Sequence, residues 1–295
     1  MTARGARRLF RAVAALTVLG LAPAAEATVV SRAERGAGGY WTAERMADAR
    51  PLDVVRGGSG AALRLAPQPP PFESFAVPDP TAPPLTTHGK VFGVLPGIGR
   101  FECSATVVAS ASRRVVFTAG HCVYDPRTAT VARRLTFVPS YDRGARPFGR
   151  WSAKAARTTV DWVRRANFDY DYATLTMRPR DGRRIEEVVG GRPLATGTPR
   201  AQIYTAYGYP SNFAGAQRMW ECRGGYAGDD PRPIPGGPPP IGMACDMTTG
   251  ASGGGWVDEA GQLVSISSFG YQRRPGFLYG PYLKAKAARL VARSG

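Results

Sequence analysis

His121 is one of two histidines in a chain of 295 residues, and it stands in Thr118-Ala119-Gly120-His121-Cys122. A neutral imidazole takes up a proton near neutral pH more readily than other side chains, so this chain offers few general bases. Downstream, Thr249-Gly250-Ala251-Ser252-Gly253-Gly254 sets a serine in a glycine-rich turn. A serine hydroxyl becomes an effective nucleophile only when a base removes its proton. A turn of this kind lets backbone N–H groups, here those of Gly250 and Ser252, converge on the oxyanion that attack creates. A buried carboxylate must then hold the imidazole in one tautomer and balance the imidazolium. Asp171, at the mouth of the alternating run Asp171-Tyr172-Ala173-Thr174-Leu175, is the first choice; Asp169, two residues earlier, and Asp161 are the alternatives. His, Asp and Ser in that order make this a candidate for acyl transfer.

These residues need a scaffold, and from Lys90 onward the chain supplies one. Residues 91–95, 104–108, 115–119, 135–138, 172–177, 203–207, 217–221 and 263–269 are short runs rich in β-branched and aromatic residues, separated by turns. The pattern is that of an antiparallel all-β barrel or sandwich, without alternating βα units. Residues 161–166 read as a short helical turn. At the end, Leu283, Ala287, Leu290 and Val291 recur at helical spacing among Lys and Arg, which predicts a C-terminal helix.

The first 27 residues read as an export signal. Arg4, Arg7, Arg8 and Arg11 precede a short apolar run, residues 12–21, and Ala25-Glu26-Ala27 offers a small-x-small cleavage site. That run is too short for a membrane anchor, so a secreted product is expected. Residues 28–87 then read as a pro-segment and proline-rich linker, with Thr42 placed to start a short helix and Gln68-Pro69-Pro70-Pro71 leading an extended stretch of little core potential. The candidate catalytic domain is assigned to residues 88–295.

Export suits the four cysteines, Cys103, Cys122, Cys222 and Cys245. Three pairings exist on paper; the sequential one is favoured because Cys103 lies on a strand leading into the one that ends at Cys122. No Cys-x-x-Cys spacing supports zinc, and no metal or cofactor is expected. The formal net charge is +17, of which +14 falls in residues 88–295. Such a domain attracts polyanions non-specifically, but no basic run is interleaved with aromatics as a nucleic-acid platform would be. A monomer acting on a protein or peptide substrate is the expected form.

Thr-Ala-Gly-His-Cys, Asp-Tyr-Ala-Thr-Leu and Gly-Ala-Ser-Gly-Gly, in this order, resemble the chymotrypsin/trypsin family of serine proteases, specifically its bacterial secreted branch near the glutamyl endopeptidases. The resemblance runs from about Lys90 to the C-terminus. It implies two antiparallel six-stranded β-barrels with His121, Asp171 and Ser252 in the cleft between them. It further implies that Ser268-Phe269-Gly270 is the strand that pairs with the substrate backbone beside the specificity pocket. Three positions depart from the pattern. Ala251 stands where cleavage-activated members carry an aspartate that receives the new N-terminal ammonium. Gly255 replaces a proline, which predicts a looser turn. Asp246, six residues before Ser252, is placed either to bind a basic substrate side chain or to accept a structural hydrogen bond. Ala251 and Gly255 give slight support to a second reading, a catalytically weak homologue that binds polyanions.

Overall fold

The computed structural model describes residues 27–32, 37–52 and 68–295; the export signal called over residues 1–27 falls outside them but for Ala27. Seventeen strands are present among the described residues: β1 (Ala27–Arg32), β2 (Arg50–Pro51), β3 (Phe72–Ala76), β4 (His88–Leu95), β5 (Gly99–Val108), β6 (Val115–Thr118), β7 (Tyr124–Asp125), β8 (Thr130–Val131), β9 (Arg133–Pro139), β10 (Trp151–Thr159), β11 (Ala173–Met177), β12 (Ile203–Gly208), β13 (Trp220–Asp229), β14 (Ile241–Ala244), β15 (Gly255–Val257), β16 (Leu263–Ile266) and β17 (Phe277–Gly280).

Strands β10, β11, β6, β5, β4 and β9 follow one another in antiparallel order, and β9 pairs back onto β10 to close a six-stranded barrel. Its interior is filled by Val91, Phe101, Val107, Phe137, Trp151 and Leu175, all fully or almost fully buried. Barrel closure removes free sheet edges, and inward-facing apolar residues fill so small a lumen. The second unit is a curled sheet in the order β16-β15-β12-β13-β14-β17, packed around Tyr204, Met243, Trp256 and Val264. Past β16 the chain crosses to the opposite edge, where the Ser268 and Phe269 N–H groups donate to the Tyr279 carbonyl at 2.9 and 3.2 Å.

Two helices match the sequence pattern. Val160–Arg165 is capped by Thr159, whose hydroxyl accepts the Trp162 N–H at 3.0 Å. Ala285–Ser294 buries Ala287, Leu290 and Val291 and hydrogen-bonds the first barrel through Thr174 and Thr176 to Ser294. Strands β10, β14, β15 and β17 carry no strong β signal in sequence, and the run read over 217–221 begins only at Trp220.

The segment preceding the barrels is built into the fold. The predicted helix start at Thr42 caps Ala43–Ala47. Trp41 is fully buried against Phe92 and donates its indole N–H to the Arg134 carbonyl at 2.7 Å. The proline-rich stretch contributes more than a linker: β3 pairs with β13 over five residues, and Val77 is buried.

Between the barrels, the Lys90 ammonium pairs with Glu102, donates to the Ala216 carbonyl at 2.7 Å and lies 4.7 Å from the Tyr141 ring centre. Burial pushes the Glu102 carboxyl up from 4.5 to about 7, against the pull of Lys90, and burial lowers Lys90. A carboxyl raised in this way stabilises the fold below about pH 4.5 and loses that contribution as pH rises through about 7. Lys90→Met removes the facing cation and raises Glu102 further. The unfolding free-energy gap between variant and wild type should therefore widen from pH 6 to pH 8, by up to about 1.4 kcal/mol per pH unit. Denaturant titrations at the two pH values measure it; a constant gap would show that Glu102 is not the responsible group.

Candidate active site

His121 sits just past the end of β6, in a turn tied by the Cys103–Cys122 disulfide. Gly120 is dictated by crowding: a Cβ there would stand 2.8 Å from Asp171 Oδ1 and 2.9 Å from Trp162 Cδ1. The Trp162 ring meets the imidazole edge-on, with centroids 6.3 Å apart. Asp171 follows the short 3₁₀ turn Phe168–Tyr170 and precedes β11. It is fully buried. Its Oδ1 accepts the His121 backbone N–H at 2.8 Å, and its Oδ2 lies 2.8 Å from His121 Nδ1.

Of the three candidate aspartates, the structure brings Asp171 to the imidazole. Asp169 is buried within the 3₁₀ turn, and Asp161 pairs instead with Lys286 at 2.9 Å. Because Nδ1 faces a carboxylate, it carries the proton, which leaves Nε2 as the acceptor. Nε2 is buried with no hydrogen-bond partner among the described residues.

The Ser252 turn is held from both the closed barrel and the curled sheet. Its carbonyl accepts the Ser104 N–H at 2.7 Å. The Ser104 hydroxyl, itself bonded by the Tyr209 N–H at 2.9 Å, donates to the Gly250 carbonyl at 2.8 Å. Ser104 adjoins Cys103 of the disulfide beside His121, so one stretch of β5 supports both the histidine turn and the serine turn. Gly253 has φ +81°, and a Cβ on it would run into Thr118 Oγ1 and the Ser104 carbonyl; only glycine lets the serine turn lie this close to the histidine strand. Within the turn, Ala251 N–H donates to the Thr248 carbonyl at 3.1 Å and Gly253 N–H to the Ser267 carbonyl at 2.7 Å. The alternate amides, those of Gly250 and Ser252, donate to no group among the described residues.

Comparison with known proteins bears directly on this arrangement. Residues 103–266 match the family model described as trypsin-like peptidase domain. The chain belongs to the trypsin-like peptidases. A crystal structure of the thermostable serine protease AL20 from an extremophilic microorganism is similar at 36% identity and TM-score 0.65, covering 71% of this chain and 96% of the other. The protease Anisep from Arthrobacter nicotinovorans is similar at 32% identity and TM-score 0.65, with 71% and 95% covered. A Glu endopeptidase shares the fold at 18% identity and TM-score 0.62, with 77% and 97% covered. No match is found among curated protein sequences.

Several features of this trypsin-like peptidase could not be read from its sequence. Ser268 is one. Its hydroxyl donates to Asp171 Oδ2 at 2.5 Å, so the strand expected to pair with substrate also anchors the carboxylate. Ser104 is another, and its polar grip on the turn has no sequence signature. Phe269 engages Tyr279 through both its N–H and its C=O, whereas the Gly270 N–H and C=O enter no backbone bond among the described residues. Asp246, Ser252, Ser268, Phe269 and Gly270 all line one cavity of about 370 Å³, which Arg274 also borders. Asp246 Oδ1 accepts the Ser74 hydroxyl at 2.5 Å, a bond from β3. The second disulfide joins Cys222 to Cys245, as the sequential pairing predicts.

Gly255 corrects an expectation. It opens β15 rather than a loosened turn, and a Cβ there would meet Thr106 Oγ1 and stand 2.6 Å from Leu263 Cδ1. Ala251 is buried, so no carboxylate precedes the serine to receive an N-terminal ammonium.

Ser268→Ala tests the Asp171 anchor. Losing one hydrogen bond to a carboxylate, worth about 1.5–3 kcal/mol, should lower kcat/KM on a peptide substrate about 10- to 100-fold, with the variant still folded by thermal melting. An unchanged rate would show that this bond does not position the histidine.

Proposed function

We propose that this trypsin-like peptidase is a secreted serine endopeptidase acting through an acyl-enzyme, with His121, Asp171 and Ser252 as its triad. The observation that carries the reading is the imidazole held by Asp171 through Nδ1, next to a serine turn, with Nε2 and the turn's two alternate amides engaged by no partner among the described residues. Ser252 Oγ attacks the peptide carbonyl as His121 Nε2 takes its proton. The N–H groups of Gly250 and Ser252 stabilise the tetrahedral oxyanion. The imidazolium, balanced by Asp171, then protonates the leaving amine, and a water activated by the same histidine releases the acyl group.

The residue preceding the cleaved bond is assigned to the cavity lined by Asp246 and Ser268–Gly270, with the substrate backbone pairing along Ser268–Gly270. A peptide-library profile that is the same for Asp246→Ala and wild type would remove Asp246 from that role. Residues 1–27 are proposed as the export signal, in keeping with the two disulfides, and among the described residues no helix is long and apolar enough to cross a membrane. Residues 28–87 are proposed as a pro-segment that acts by occupying the cleft or assisting folding, because Ala251 leaves no partner for an ion-pair switch.

A fluorophosphonate probe tests the reading. The wild type should be labelled on Ser252, labelling should vanish in Ser252→Ala, and Asp171→Asn should lower peptide hydrolysis about 10⁴-fold. A folded wild type that resists the probe would contradict it and leave the alternative of a protease fold retained for binding.

A further inference from the structure

Ala251 leaves the serine turn without an ionic anchor of its own. Support comes instead from residues 209–217, the loop that follows β12. The Ser211 N–H donates to the Thr249 carbonyl at 2.7 Å. The Asn212 side-chain amide donates to the Asp246 carbonyl at 3.0 Å, and its Oδ1 accepts the Thr248 N–H at 3.2 Å and the Thr248 hydroxyl at 2.8 Å. A Cβ on Gly250 would run into the Tyr209 carbonyl and stand 3.6 Å from Ala216 Cβ. The loop therefore grips the chain at Asp246 and again from Thr248 to Gly250, the stretch leading into Ser252.

Local backbone preference works against the shape of this loop. Ala214, Gly215 and Ala216 have φ of +47°, +56° and +61°: three successive left-handed residues, two of them alanines whose Cβ disfavours that region. Such a backbone persists where its surroundings over-determine it. Here the determinant is Lys90 of β4, whose buried ammonium donates to the Ala216 carbonyl at 2.7 Å. Glu102 of β5 supplies the counter-charge that keeps a cation there. The Tyr141 and Tyr209 ring centres lie 4.7 and 5.6 Å from the ammonium, and the Tyr209 hydroxyl donates to the Tyr141 carbonyl at 2.9 Å, closing the cage. The same Tyr209 begins the loop, so cage and loop share one residue.

We propose that Lys90 is a positioning residue for the oxyanion: it locks the 209–217 loop through the Ala216 carbonyl, and the loop holds residues 246–250 so that the Gly250 and Ser252 amides point together. Lys90 itself touches no reacting group. The inference rests on the oxyanion role proposed above for those two amides, and deepens it by naming what keeps them aimed. In place of an N-terminal ammonium, for which Ala251 leaves no partner, a cation already inside the fold orders the turn. That cation belongs to β4, so the turn is ordered without any cut in the chain.

Residue-resolved amide hydrogen exchange and steady-state kinetics of the full-length chain test this together. Lys90→Met is combined with Glu102→Gln so that no unpaired charge is left buried. This double variant should speed exchange of the Ala251 and Gly253 amides at least about tenfold, although neither amide bonds to a substituted residue. Exchange at Val123 in the histidine turn should stay as it is. On a peptide substrate kcat should fall about tenfold or more, part of the roughly 10²–10³ that one oxyanion donor supplies, with KM within about threefold of wild type. Asn212→Ala cuts the same path at its exposed end, where no core packing is at stake. It should give the same pattern, and adding it to the double variant should change little further. Unchanged exchange at Ala251 and Gly253, effects that multiply independently, or faster exchange with kcat preserved would each overturn the proposal. The expected exchange pattern in a chain whose wild type hydrolyses no peptide would instead overturn the protease reading and leave Lys90 as the support of the turn.

Discussion

The buried carboxylate of Asp171 is the constraint around which the site is organised. An ionised group with no access to water is costly unless charge and hydrogen bonds compensate it. Asp171 accepts the His121 amide, faces His121 Nδ1 and accepts the Ser268 hydroxyl. The first two donors belong to the closed barrel and the third to the chain leaving β16 of the second sheet. Satisfying one carboxylate therefore fixes the histidine tautomer and couples the two sheets at the cleft. Gly120 has no side chain because that carboxylate and the Trp162 ring already fill the space.

The serine reaches the same place by a second set of contacts. Ser104 bonds both Ser252 and Gly250, and Gly253 packs against Thr118 and Ala119. Since Ser104 neighbours Cys103 and the disulfide leads to Cys122, the His121 and Ser252 turns share one covalently tethered support. Preorganisation of this kind would let the Gly250 and Ser252 amides, in the oxyanion role proposed for them, stay aimed without reorganising during reaction. The Lys90–Glu102 pair, reaching from the first barrel to the Ala216 carbonyl, reinforces the junction further from the chemistry.

The all-β fold was legible in the sequence, while several of its strands and the contacts that support the candidate site were not. Histidine scarcity, the glycine setting of Ser252 and chain order draw attention to His121 and Ser252, because acyl-transfer chemistry tolerates few residue types. Asp171 is preferred to Asp169 in sequence for its place at the mouth of the alternating run; both carboxylates are buried, and the structure brings Asp171 to the imidazole. Ser268 and Ser104 act through hydroxyls placed by tertiary folding, and serine is too common to signal such a role. The β10 run Trp151–Thr159 hides its strand behind alanines, Lys154 and Arg157. Gly255 looked like a loosened turn and is instead a contact too close for any side chain. The proline-rich segment misled in the other direction: Phe72–Ala76 gains its strand from the β13 edge, a partner that lies far along the chain and has no local signature.

The central claim is that Asp171 holds His121 so that Ser252 attacks while the Gly250 and Ser252 amides receive the oxyanion. A crystal structure of the chain after reaction with an organophosphonate tests all of this at once. The account predicts phosphorus bonded to Ser252 Oγ, its oxygen about 2.7–3.1 Å from both amides, and the His121–Asp171 bond intact. An adduct on another residue, or an oxygen turned away from those amides, would contradict it.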